Sequence, residues 1–127
     1  MTIELAFLWV AEAVMLAAFA CFVQAFRVRR TDRARHMRLG KRGALLVLIG
    51  LIAVEWFARV LDWEFPVRSP ALLRAHIWVA SVTTVVLIVL VATGMRGPRA
   101  LHVRLFAFFF PLYAATIVLS LLAFRLW

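Results

Sequence analysis

His36 and His102 occupy the same place in two ten-residue stretches, 30–39 and 96–105, which agree at six positions without a gap. The shared pattern is Arg-x-x-Arg-Ala-x-His-x-Arg-Leu, displaced by 66 residues, about half the chain. Arginine is abundant here, so the His36/His102 and Leu39/Leu105 registers carry most of the weight. The same displacement pairs Arg59 with Arg125. Two imidazoles at equivalent positions on two facing helices could ligate a haem iron from both sides. The competing use is structural, with each ring bonded to a lipid headgroup or a backbone carbonyl where a helix starts. Depth favours the structural use. His36 precedes the apolar run at Gly43 by seven residues, about 10 Å of helix, so a porphyrin there would lie in water among arginines. His102 precedes its own run by only three residues. Three histidines cannot supply the four ligands of a two-haem electron wire.

A second group, Glu12, Glu55, Arg59 and His76, consists of ionisable side chains set inside apolar runs. Such groups are costly in a bilayer and face a partner or a bundle interior. Glu55 and Arg59 are four residues apart, share a helix face and are expected to pair. Glu12, Glu55 and His76 could together bind a divalent metal ion, or relay protons. The alternative is a structural charge network, in which Glu55 and Arg59 neutralise each other while His76 bonds Glu12. Ser120 reaches a similar depth, and Trp9, Trp56, Trp63 and Trp78 surround that level as an interfacial belt.

The elements that must position these residues follow from composition. Of 127 residues, 66% are apolar, far more than a soluble domain of this size carries. Four apolar runs, 3–26, 43–61, 72–95 and 105–124, reach the length of ~20 residues that crosses a bilayer core. The first begins at Glu4 rather than with basic residues, and no small-residue cleavage site follows, so it is expected to remain as a span. Thr31 or Asp32 can cap a helix leading into the second run. Gly94, Gly97 and Pro98 are expected to end the third helix and start the fourth. The single cysteine, Cys21, excludes an intrachain disulfide and reads as a packing residue.

Charge gives the orientation. The loop before the second run carries Arg27, Arg29, Arg30, Arg33, Arg35, Arg38, Lys41 and Arg42 against one Asp32, and the third loop adds Arg96, Arg99 and Arg104. Short loops rich in Lys and Arg stay cytoplasmic, which puts both termini on the periplasmic side of a bacterial inner membrane. The net charge of +9 sits in these two loops without interleaved aromatics, a pattern unsuited to nucleic acid. Arg30, Arg33, Arg38, Arg96, Arg99 and Arg104 are instead expected to contact anionic lipid headgroups or an acidic partner. No phosphate loop, catalytic triad order, aspartate dyad or HExxH helix is present, so a non-enzymatic role is expected. Gly40, Gly43, Gly50, Ser81, Thr83 and Thr84 read as close helix-packing positions.

Several short runs resemble a known family. They are His36-Met-Arg-Leu-Gly-Lys opening a span, Trp56-Phe-Ala-Arg59, Leu73-Arg-Ala-His76, and Leu101-His-Val-Arg104 followed by Pro111-Leu-Tyr113. Over roughly residues 30–124 the chain resembles the small four-span membrane proteins encoded beside haem–copper oxidase genes. These form a domain family of unknown function linked to maturation of cytochrome oxidase. The element around His36 also resembles predicted haem-binding four-span proteins of the cytochrome b561-like kind. Many such relatives carry another histidine late in the second span, where this chain has Glu55, Trp56 and Arg59. A haem or copper site on the outer side would lack that ligand.

The sequence therefore describes an all-α integral membrane four-helix bundle in a single four-span domain, residues 1–127. It is expected to consist of two parallel repeated hairpins, 1–63 and 70–127, related by an axis along the membrane normal. The leading expectation is an accessory or assembly subunit of a larger respiratory or electron-transfer complex. The alternatives are a small b-type haem protein ligated by His36 and His102, and a proton or ion transporter using Glu12, Glu55 and His76. No cofactor is demanded by the sequence; haem is the one it admits.

Overall fold

The computed structural model describes residues 2–124. They form four helices, α1 Ile3–Val28, α2 Arg33–Arg59, α3 Pro70–Arg96 and α4 Arg99–Ala123, and no β-strand among the described residues. Arg125, matched to Arg59 by the sequence displacement, lies outside the described residues. Local chemistry sets most helix starts. Thr2 Oγ1 accepts from Leu5 N at 3.3 Å, Asp32 Oδ1 from Arg35 N at 2.8 Å, and Ser69 Oγ from Leu72 N at 3.3 Å. Of the two expected caps for α2, Asp32 fills the role. The α3 cap is followed by Pro70, whose missing N–H costs nothing at a helix start. α4 starts at Pro98 with no side-chain cap.

Three helices, α1, α3 and α4, are long and apolar enough to cross a membrane. α2 is not among them, although four runs are expected from the sequence. Its 27 residues begin with Arg33, Arg35, Arg38, Lys41 and Arg42 and end around Glu55 and Arg59. Its longest stretch without a charged residue is the twelve positions 43–54.

The chain divides into two compact units, one ending at Pro66 and built on α1 and α2, the other beginning at Val67 and built on α3 and α4. In the first, α2 runs antiparallel along α1. Leu8, Glu12, Ala18, Phe22 and Ala25 of α1 are buried, as are Leu39, Gly43, Val47 and Gly50 of α2. The intervals of three and four residues put each set on one helix face. Gly43 seats the Phe22 ring, since a Cβ there would lie 2.8 Å from a ring carbon. Gly50 faces Met15, with 3.2 Å between a Cβ and the Met15 methyl. Small residues of this kind let apolar helices approach closely where hydrophobic driving force is weak. Gly40, read as another such position, has nothing within 4 Å of its would-be Cβ.

The open end of this hairpin is closed by rings. Phe7 and Phe57 lie 4.3 Å apart, Phe57 and Trp63 4.5 Å, and Phe7 and Phe65 5.9 Å between centroids. The chain turns back to bring Trp63 there through Asp62, whose φ of 52° is one that aspartate tolerates. Trp63 is therefore part of an aromatic clasp, whereas Trp9, Trp56 and Trp78 are exposed.

In the second unit, Thr83, Leu87 and Leu90 of α3 are buried, with Phe109, Tyr113, Ile117, Ser120 and Ala123 of α4. Phe109 is fully enclosed. Thr83 and Thr116 hydroxyls meet at 3.2 Å across the two helices. The Ala123 carbonyl accepts from Arg68 N at 2.7 Å and Ser69 N at 3.3 Å, which satisfies one of the carbonyls that a helix end leaves open. α4 runs through Pro111 without interruption.

Candidate functional site

Each repeated histidine ties the second helix of its hairpin to the first. His36 Nδ1–H donates to the Ala25 carbonyl at 2.9 Å. Ala25 belongs to the last four residues of α1, whose carbonyls lack a helical donor. Arg29 N turns instead to Phe26 O, and Asp32 N to Val28 O. The imidazole thus fills a gap that every helix end leaves. His102 Nδ1–H donates to the Leu90 carbonyl at 3.1 Å, which also accepts the Thr93 hydroxyl at 3.0 Å.

The seats beneath the two rings differ. A Cβ on Gly94 would lie 2.9 Å from His102 Cε1 and 3.2 Å from Nδ1. Only glycine lets the ring rest there. Gly94 was expected to help end α3, but the helix continues to Arg96, and the residue's role is this close approach. Nothing in the sequence distinguishes the two roles, because both call for the smallest side chain at a helix end.

The pairing also gives His36 a neighbour that counting along α2 alone does not. Counting from Gly43 puts the ring about 10 Å beyond the apolar run. In the structure the ring lies beside Ala25, within the apolar stretch of α1 that continues to Phe26. The cause is the short turn 29–32, which sets the basic first turns of α2 alongside the apolar end of α1.

Corresponding partners in the two hairpins are spaced almost alike. Ala18, Phe22 and Ala25 correspond to Thr83, Leu87 and Leu90, each buried and each 65 residues on. Gly43 and Val47 correspond to Phe109 and Tyr113, buried and 66 residues on. One extra residue therefore lies between the bonded carbonyl and the histidine in the second hairpin.

The residues of the other expected group lie on α1, α2 and α3. Arg59 Nε donates to Glu55 as their spacing demands, on the hairpin surface, with side chains 78% and 52% exposed. Glu12 is buried on the inner face of α1 and is not part of that pair. His76 gives its Nδ1–H to the Thr116 carbonyl at 3.0 Å in its own hairpin and meets the Phe124 ring edge-on. Ser120 is buried in α4. Among the described residues no three His, Cys, Asp or Glu side chains come together as a metal-binding group.

The basic residues of both turns are exposed, including Arg30, Arg33, Arg38, Arg96, Arg99 and Arg104. Arg29 is held apart from the rest, its guanidinium 3.5 Å from the centroid of the Phe26 ring and bonded to the Phe26 carbonyl. No family model, curated protein or solved structure matches this chain.

Proposed function

We propose that the chain crosses a bacterial inner membrane four times, as two copies of one hairpin, and serves as a non-enzymatic accessory or assembly subunit of a larger membrane complex. One observation carries this reading. The connections between helices are residues 29–32, 60–69 and 97–98, too short to hold a domain outside the bilayer. What such a chain offers a partner is the outer faces of its helices and two basic turns. α2 counts as a span despite its charge because it lies along α1 from the Phe22–Gly43 contact to the Phe7–Phe57 contact. If α1 is immersed, α2 is immersed beside it.

The repeat is supported by the matching histidine-to-carbonyl bonds and by the buried positions that recur 65 or 66 residues on. The basic turns orient both hairpins with turns in the cytoplasm and termini outside. A respiratory complex as partner rests on the sequence resemblance alone.

A haem protein ligated by His36 and His102 is the second reading, favoured by one specific feature. Both rings bond a backbone carbonyl through Nδ1, the same second contact that orients a histidine which ligates a metal through Nε2. Purifying the tagged chain from its native membrane in mild detergent separates the readings. Stoichiometric partner bands without Soret absorption are expected. A Soret band lost in either His36→Ala or His102→Ala would establish the haem reading, and neither bands nor chromophore would defeat both.

A further inference from the structure

The two hairpins differ at the level where the first carries charge. Gly43 lies under Phe22, so Lys41 and Arg42 stand beside the stretch of α1 between Phe22 and Phe26, short of the end of its apolar run. Arg38 lies one turn nearer the loop. The positions 66 residues on are Ala107, Phe108 and Arg104, so the second hairpin keeps one of the three cations.

Arg38, Lys41 and Arg42 are exposed, and none makes a side-chain hydrogen bond or ion pair among the described residues. They fall at intervals of three and four with Leu45, Ile49 and Ile52, so all six share one face of α2. Those three apolar residues are each more than half exposed. The buried face, Leu39, Gly43, Val47 and Gly50, points the other way, to α1. One exposed face therefore carries three cations at its cytoplasmic end and a purely aliphatic strip beyond them.

We infer that this face of α2 holds an anionic diacyl phospholipid, its phosphate on Arg38, Lys41 and Arg42 and an acyl chain along Leu45, Ile49 and Ile52. The dimensions fit a lipid of one leaflet. From Arg42 to Ile52 is ten residues, about 15 Å of helix, half of a hydrocarbon core of about 30 Å. Lys and Arg at this depth raise their charges toward the headgroups on long stems, and a phosphate supplies the counter-charge that the described residues do not. An acidic protein partner would answer the cations but leave the aliphatic strip unexplained. The inference rests on the membrane reading above.

The test is a native mass-spectrometric titration of the purified full chain in neutral detergent. Phosphatidylglycerol is the probe and phosphatidylcholine the reference. The parent should prefer phosphatidylglycerol. Lys41→Ala with Arg42→Phe, the residues of the second hairpin, should lower that preference about 25-fold, since each nearby cation contributes about a factor of five. Arg42→Gln alone, the milder change should the double variant fail to fold, should cost about fivefold. The swap Lys41→Arg with Arg42→Lys should retain the preference. Removing two exposed charges away from both basic turns, by Arg68→Gln with Arg74→Gln, should leave it near the parent's.

An unchanged preference in the folded Lys41/Arg42 variants would overturn the site, as would an equal loss in the Arg68/Arg74 variant, which would mean net charge alone. Loss of a co-purifying protein with lipid preference intact would hand the face to an acidic partner and overturn the lipid assignment. Extraction of the chain from membranes by alkaline carbonate would instead overturn the membrane reading beneath it.

Discussion

The imidazole of His102 rests on Gly94, so closely that a methyl group there would lie 2.9 Å from Cε1. That contact lets Nδ1–H reach the Leu90 carbonyl, and it makes the glycine and the histidine one device. Gly94→Ala should displace the ring and cost about 1–3 kcal/mol, the range for a methyl forced into a filled space. His102→Ala should cost about 1 kcal/mol, the worth of one such bond. The double variant should be no less stable than His102→Ala, because the obstructing ring is gone. Denaturant unfolding in detergent measures all three, and simple additivity would show that the two residues act separately.

In the first hairpin the same bond closes a helix end. His36→Ala should leave the Ala25 carbonyl without its donor and lower stability by about 0.5–1.5 kcal/mol. His36→Asn keeps an N–H donor on a shorter side chain and should recover part of the loss. Ala25 lies in the last turn of α1, so hydrogen–deuterium exchange should report faster opening of residues 25–32 in His36→Ala. Unchanged exchange there would mean the bond holds nothing.

Arg59 and Glu55 form a surface pair rather than a member of an enclosed network. Arg59→Leu should lower the yield of folded protein by stranding a carboxylate near the C-terminal end of α2. Adding Glu55→Gln should restore it. The coupling in a double-mutant cycle should be about 0.5–1 kcal/mol, as for exposed or intramembrane polar pairs. If Arg59→Leu alone expressed and melted like the parent, the pair would contribute nothing.

The topology is open to direct labelling. In a Cys21→Ser background, cysteines at Thr31 and Gly97 should react with an impermeant maleimide only after the cytoplasmic side is opened. A cysteine at Asp62 should react from outside in intact spheroplasts. Labelling of Thr31→Cys and Gly97→Cys from opposite sides would rule out parallel hairpins.

Several features were decided by residue order alone. Runs of apolar residues with charge between them fix four helices, because length, caps such as Asp32 and Ser69, and the stop at Gly97-Pro98 act within one or two turns. The match of 30–39 with 96–105 places His36 and His102 alike on α2 and α4, and the i,i+4 spacing of Glu55 and Arg59 fixes their pairing. Contacts across a hairpin are another matter, since a shift measured along α2 and α4 says nothing about the register of α1 and α3 against them. The turn and the helix ends set that register, and it differs by one residue between hairpins. Only the fold therefore decided that His36 lies beside Ala25, and that Lys41 and Arg42 stand level with Phe22 to Phe26. It likewise decided that Gly94 seats an imidazole while Gly40 seats nothing. Each depends on which side chains two packed helices bring face to face, a distance between residues far apart in the chain that local preference does not encode.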